Sequence, residues 1–337
     1  QYAARYENYS DFGGTLNGKL AGRYRINDAF ALRAAVSTGF HAPTPGQSNV
    51  STIITTFDGV TGQQVEEGLL PVSNPIAQAA GATDLTEEQS LNISAGFSAD
   101  VGDNWTITGD VYQIEVDDRI YRTGDIPLFN DPSRTVSFYT NALDVEHKGF
   151  DLVVTGGFEM GMNSSLDLTR AYAYNEIDVT GQKLIRGIQP VNDGLVEDIE
   201  NNYPENRFVL TGVMNFGDNL DLMARVNYFG EHYDERGRIG GSPDGADPSF
   251  NTGKSYKIGA TTFVDLELGY QLNDNWRFVL GGVNVFDEFI DEISNDPPSG
   301  CPACSSEYAN RISVGLQYPR RTVANYEGGS WYLRAHY

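Results

Sequence analysis

Few residues in this chain have both the type and the spacing for chemistry. Cys301-Pro-Ala-Cys304 is the one cysteine pair. The C-x-x-C spacing suits a redox motif, half of a zinc site or a local disulfide. No second cysteine pair and no histidine in the same stretch completes a tetrahedral zinc shell. The four histidines, His41, His147, His232 and His336, are scattered along the chain, and neither G-x-S-x-G nor H-E-x-x-H occurs. Asp117 and Asp118 are adjacent in an extended segment, so they would point to opposite faces and could not act as an acid/base pair. No catalytic constellation emerges, and the chain does not read as an enzyme.

Two acidic stretches and one aromatic-basic set remain as candidates for binding. Residues 39–85 hold Asp58, Glu66, Glu67 and Asp84 without Lys or Arg, and 287–307 hold Asp287, Glu288, Asp291, Glu292, Asp296 and Glu307 without a base. A hard cation needs several oxygens converging at about 2.3–2.6 Å, and no EF-hand-like spacing is present, so these read as solvated loops. Divalent cations bridging the carboxylates to lipopolysaccharide phosphates is the lesser reading. Tyr121, Arg122, His232, Tyr233, Arg236 and Arg238 combine stacking surfaces with bidentate donors, which is recognition chemistry. The competing reading is an interfacial aromatic girdle with Arg on lipid phosphates.

The segments that carry these residues are strands. In 263–288, Val264, Leu266, Leu268, Tyr270 and Leu272 alternate with Asp265, Glu267, Gly269 and Gln271, and a three-residue turn leads straight into a second strand at Trp276. Strict alternation marks a strand with one apolar and one polar face. The same pattern predicts about twelve strands, near 1–10, 14–26, 29–38, 86–100, 104–120, 134–159, 164–182, 206–216, 219–236, 259–272, 275–287 and 329–337. Alternation slips at Val111–Tyr112, which predicts a bulge there. Arg170 shares the parity of Leu166, Leu168 and Tyr172, which puts either that register or a deep membrane position in doubt, since an Arg at the midplane costs about 2–4 kcal/mol.

Connections decide where the apolar faces look. Asn/Asp/Gly turns at 27–28, 102–104, 160–163, 217–219 and 273–275 alternate with long connections near 39–85, 121–134, 183–205, 237–258 and 289–328. Only the connection at 10–13 is short on the long side. All long loops at one end is the layout of an up-and-down outer-membrane barrel, apolar face to lipid and polar face to lumen. The rim set then sits where strands emerge on the outer side, and loop 289–328 faces an oxidising exterior, where Cys301 and Cys304 are expected to form a disulfide. No run of 18 apolar residues occurs, so transmembrane helices are excluded. A net charge of −23 over 337 residues argues against a nucleic-acid partner. Cofactors are not indicated.

At ALRAAVSTGFHAPTPGQSN (31–49) the sequence resembles the TonB-dependent receptor family of outer-membrane active transporters, in which a strand ends in a similar Ser-x-Gly-Phe-x-Ala-Pro segment. RYENYSDFGGTLNGKLAGRYRI (5–26), VYQIEVDDRIYR (111–122), GGVNVFDE (281–288) and SWYLRAHY (330–337) agree with it in family order. The resemblance implies an all-β transmembrane antiparallel up-and-down barrel, in which residues 1–337 supply the C-terminal half of 22 strands. It implies a Gram-negative outer membrane, energy-coupled uptake of a scarce nutrient such as a siderophore, cobalamin or saccharide, and a small-molecule ligand. Expected partners are outer-membrane lipid and lipopolysaccharide, an N-terminal plug with the other barrel half, and through these the inner-membrane TonB complex. A passive, porin-like diffusion channel and a structural or adhesive surface barrel are the alternatives.

Because the Cys301–Cys304 loop is tiny, a bond there acts only locally. Intact mass after alkylation, with and without reduction, should find no free thiol in the oxidised protein. Two alkylated thiols before reduction would reopen a metal role.

Overall fold

Alternating side chains and Asn/Gly turns produce one long meander. The computed structural model describes residues 1–57, 64–128, 131–161, 163–234, 256–292, 317–318, 322–323 and 327–337. Chain order begins with β1 (Tyr2–Tyr9), β2 (Gly13–Asn27), β3 (Phe30–His41), α1 (Pro45–Asn49), β4 (Thr52–Phe57), β5 (Gln64–Leu69), α2 (Pro75–Ala80), β6 (Glu88–Val101) and β7 (Trp105–Arg122). It continues through β8 (Ile126–Leu128), β9 (Asp131–Val136), β10 (Tyr139–Gly161), β11 (Ser164–Gln182), α3 (Asp193–Asn201), β12 (Asn206–Phe216) and β13 (Leu220–Phe229). The last elements are β14 (His232–Asp234), β15 (Tyr256–Ile258), β16 (Thr261–Asn273), β17 (Trp276–Val283) and β18 (Ser330–His336).

Twelve strands form a single antiparallel sheet in the order β1-β2-β3-β6-β7-β10-β11-β12-β13-β16-β17-β18, each beside the next wall strand in the chain. The pairs β4–β5, β8–β9 and β14–β15 are separate hairpins inside the long connections. Among the described residues β1 and β18 each have one partner, so the sheet is an open section of wall. Asn side chains shape the short turns. Asn273 Oδ1 accepts the amides of Asn275 (3.0 Å) and Trp276 (3.1 Å), and Asn163 (φ 56°) and Gly217 (φ 60°) take the left-handed conformation.

Pairing fixes the faces. Leu20, Val36 and Ile93 lie side by side across β2, β3 and β6, as Leu222, Leu268 and Leu280 do across β13, β16 and β17. These rows are the exposed apolar face, with Leu16 and Leu333 each 73% accessible. In a membrane that face meets hydrocarbon. Arg170 keeps the outward parity, paired in continuous register with Val154 and Leu210.

Several expectations need correcting. The predicted bulge at Val111–Tyr112 is absent: both residues pair in unbroken register with β6 and β10. Val111 points outward, 57% accessible, whereas Tyr112 points to the lumen and donates to Asn175 Oδ1 at 3.2 Å. The irregularity lies higher, where β10 shifts register around Leu143 and Asp118 has φ 58°. The strand expected over 134–159 is divided into β9 and β10, and the one over 219–236 stops at Phe229 before β14 pairs with β15. The strand expected to reach 287 stops at Val283, because Asn284 (φ 50°) and Asp287 (φ 55°) turn left-handed. Asn284 secures that turn, accepting from the Glu288 amide (3.0 Å) and donating to its carbonyl (2.7 Å).

The buried clusters of a one-layer wall lie with its long connections. Leu70, Val72, Ala77, Ala80, Leu85, Ile120, Ile126, Val136 and Phe138 gather α2, the β8–β9 hairpin and the top of β7 around one centre. Ala142, Leu143, Val145, Val191 and Ile199 form a second cluster beneath α3. The hairpins are joined as well: Leu69 bridges Ser137 in parallel, with Leu70 N to Ser137 O at 2.9 Å and Ser137 N to Gly68 O at 2.7 Å. Phe138 is fully buried in this cap. Phe138→Ala should cost the cap about 3–5 kcal/mol. Limited proteolysis should then cut 64–86 and 123–138 much faster while the wall keeps its heat-modifiable migration. An unchanged cleavage rate would mean the cap is not one packed unit.

Candidate ligand-binding mouth and lumen wall

The polar face of the wall is built from pairs that reach over an intervening strand. Arg33 on β3 and Asp110 on β7 flank Gly96 of β6 in register, and Arg33 Nε donates to Asp110 Oδ1 at 2.7 Å. A Cβ at Gly96 would stand 2.7 Å from Asp110 Cγ, so any side chain there would block the pair. Tyr112 reaches Asn175 over Gly149 by the same route, and Tyr332 donates to a Glu267 carboxylate over Gly281. Arg277 meets Asp221 at 2.8 and 3.0 Å past Gly269. Arg334 lies over the Tyr332 ring at 4.2 Å. Asp265 accepts from Asn227 (3.1 Å) and from the Asn284 amide (2.9 Å), which ties the lumen wall to the β17 turn. The lumen wall is therefore charged, and Arg33 with Asp110 and Arg277 with Asp221 are paired across it.

Side-chain latches shape the mouth above this wall. Asn141 accepts from the Thr86 amide (2.9 Å) and donates to the carbonyls of Thr86 (2.9 Å) and Asp118 (2.8 Å). Glu88 accepts the Ile120 amide (2.9 Å), Glu200 the Val179 amide (3.0 Å), and Lys183 pairs with Asp118. The acidic stretch after β17 works likewise. Asp287 accepts the Gly329 amide (2.8 Å), Asp291 the Gly259 amide (2.7 Å), and Glu292 the Gln317 side chain (2.7 Å). Desolvation first, then the charge of Glu292 and a hydrogen bond to it, push the Tyr318 phenol above its ordinary range. Among the described residues no group of three or more His, Cys, Asp or Glu is placed to hold a metal ion.

The sequence-derived rim residues fall into two separate groups. Tyr121 and Arg122 end β7, the tyrosine half-buried against the cluster under α3 and the arginine exposed. Arg122 donates to Ser137 Oγ from Nε (3.3 Å) and from its terminal nitrogen (3.1 Å), joining the rim to the hairpin cap. His232 and Tyr233 lie on β14, opposite Ile258 and Lys257. His232 is only 2% accessible, with Nδ1 3.3 Å from the Gly230 carbonyl, so it packs the loop and is not presented to solvent. Helix α3 contacts both β11 and β14 and stands between the groups. Arg236, Arg238, Cys301 and Cys304 lie outside the described residues. The lumen pairs that pass over a glycine were missed because they join strands two apart in the sheet, and the signal that could have found them is an inward glycine flanked by long polar residues.

Solved structures share this architecture. The siderophore receptor PirA from Acinetobacter baumannii matches with a TM-score of 0.60 and 16% identity over 99% of this chain and 42% of its own. A mutant ferric enterobactin receptor from Pseudomonas aeruginosa, in complex with enterobactin, gives 0.64 and 15% over 99% and 42%. The ferripyoverdine receptor of the Pseudomonas aeruginosa outer membrane gives 0.52 and 13% over 82% and 30%. This chain thus spans less than half the length of these proteins, and at such identities the likeness concerns the fold. A search of curated protein sequences finds no match. No described helix is long and apolar enough to cross a membrane, which says nothing against a barrel. The family described as TonB dependent receptor-like, beta-barrel, matches residues 1–285, and the chain belongs to this family of receptors.

Proposed function

We propose that this chain forms the C-terminal part of a barrel in the outer membrane of a Gram-negative bacterium and serves energy-coupled, TonB-dependent uptake of a scarce small molecule. The observation that carries this reading is the family match over 1–285, joined to a wall whose described connections pack into buried clusters at the ends of its strands. A siderophore is the first ligand class to test, since two of the neighbouring structures, the PirA proteins, are described as siderophore receptors. The open edges at β1 and β18 fit this reading. In hydrocarbon each unpaired backbone group costs several kcal/mol, so a working barrel closes through further strands, and the plug comes with the family resemblance. Lipid and lipopolysaccharide surround the outward face, and the inner-membrane complex is engaged through the plug-bearing part.

Tyr121, Arg122, Tyr233, Arg236 and Arg238 are the rim side chains for the ligand in this proposal, with His232 supporting the loop from within. Cells should take up the cognate ferric siderophore only when both this protein and TonB are present. Uptake that survives TonB deletion, with an open conductance in planar bilayers, would favour the passive channel. Binding without uptake would favour the adhesive barrel. Arg122→Ala should weaken ligand binding about tenfold, or about 1.4 kcal/mol, measured by titration on outer-membrane vesicles. His232→Ala should instead raise the protease sensitivity of its loop. Equal binding by Arg122→Ala and unmodified protein would remove Arg122 from the site.

A further inference from the structure

Basic residues are scarce in this chain, 23 against 46 acidic ones, yet they gather on one part of the lumen wall. All five in residues 1–41, Arg5, Lys19, Arg23, Arg25 and Arg33, take the lumen parity of β1, β2 and β3, opposite to that of Leu16, Leu20 and Val36. Arg5 pairs with Glu7, and Arg33 reaches Asp110 over Gly96. Lys19, Arg23 and Arg25 hold no hydrogen bond or ion pair among the described residues. They follow one another down β2 toward the short turn at Asn27-Asp28, with Lys19 and Arg23 about 13 Å apart and Arg23 and Arg25 about 7 Å apart. Arg23 is also the register partner of Arg33. Like charges directly opposite each other destabilise a sheet, and Asp110 relieves only the Arg33 side. The surroundings of the three cations offer donors and no counter-charge. From Thr15, Gly39 and Ser90 down to Arg25, Ala31 and Ser98, the lumen face of β2, β3 and β6 carries no carboxylate, and Asn17, Ser37, Asn92 and Ser94 on it are neutral. The lumen acids Asp110, Asp151, Asp167, Asp221, Asp265 and Glu267 stand on later strands. The wall is thus polarised, cationic on β2 and acidic from β7 onward.

We propose that Lys19, Arg23 and Arg25 form a cationic column that binds a polyanionic small molecule as it passes down the lumen. The recognised groups are anionic oxygens, such as those of phosphate or carboxylate. Fixed charge of one sign along a passage with low-dielectric walls concentrates the opposite ion. Arg23 and Arg25 lie on one face two residues apart, so a single anionic group can accept from both forks. Lys19 holds a second group higher up. An anion on Arg23 also offsets the repulsion from Arg33 that the register imposes. Several spaced cations suit passage, since each is strong enough to attract the ligand and weak enough to release it to the next. Resting on the uptake reading above, the column adds to it the charge of the ligand.

The test uses the full-length receptor in detergent solution, titrated calorimetrically with inorganic pyrophosphate as the polyanion. Unmodified protein should bind it saturably and lose affinity as salt rises. Arg23→Gln with Arg25→Gln should bind at least about tenfold more weakly. Arg23→Lys with Arg25→Lys should keep most of the binding, and Arg225→Gln, on the acidic side, should leave it unchanged. Heat-modifiable migration of each variant checks folding. Ala21→Cys, between Lys19 and Arg23 on the lumen face, tests the site without altering a charge. Pyrophosphate should slow its alkylation by an uncharged maleimide, read from the peptide mass, and should leave Val213→Cys unaffected. The titration needs no energised membrane, so it succeeds or fails separately from the TonB-deletion experiment. Absence of saturable binding, equal binding by the double Gln variant and unmodified protein, or equal protection at the two cysteine positions would each overturn the proposal. So would an Ala21→Cys variant that stays unreactive with and without pyrophosphate, since protein would then cover the column.

Discussion

A backbone amide or carbonyl that crosses hydrocarbon has no water to turn to, and everything else in this wall follows from that. The ladder must run unbroken from one strand to the next. From β6 to β7 and from β11 to β13 it does so without a register shift. The exceptions on β10 sit around Leu143 and near Gly161, toward the two ends of that strand. With the ladder fixed, period-two alternation leaves each strand only one choice, which face carries the apolar set. The turns and the outward rows are consequences of that choice.

The same rigidity shapes the lumen. Strands two apart in a sheet are separated by roughly 9.5 Å, a gap that long side chains such as Arg and Tyr bridge here where the residue between them lacks a side chain. Gly96, Gly149, Gly269 and Gly281 occupy those positions, and a Cβ at each would run into the side chains that meet above it. Glycine weakens a strand interior through backbone entropy. Here that cost is offset by charge-assisted hydrogen bonds linking alternate strands, bonds roughly twice as strong as neutral ones. A pair such as Arg277–Asp221 thereby stiffens three strands together instead of two.

Most of the wall was legible in the sequence because alternation and turn chemistry are local signals. The nine residues from Val264 to Leu272 in β16 suffice to show both a polar and an apolar parity, and the Asn273 turn needs no distant partner. What local pattern could not supply was the content of the long connections. The capping box of α1, Thr44 with Gln47, and the Asn74-Pro75 start of α2 are visible once sought, yet these helices are too short to announce themselves by periodicity. The expected slip at Val111–Tyr112 was a misreading of a lumen-facing tyrosine as a lipid-facing one, since tyrosine serves both faces. His232 looked like a rim ligand by type, and only the packing of β14 against β15 and its surroundings puts it indoors.

Charge also reads differently in three dimensions. A chain of net −23 suggests a diffuse negative surface, but Glu88, Glu200, Asp287 and Asp291 each spend a carboxylate oxygen on a backbone amide. Such bonds satisfy amides that would otherwise be left bare, and each ties a connection or a strand end to a neighbouring element. Acidic side chains therefore hold these connections in shape. Under the proposed receptor function, a surface already ordered by the Phe138 and Leu143 clusters would lose little conformational entropy on binding, and its contacts would be returned as affinity. Tyr121 and Arg122 stand on that ordered side, the tyrosine packed against the α3 cluster and the arginine tied to Ser137. Among the described residues first singled out for recognition chemistry, they are the two that stand on a strand of the wall itself.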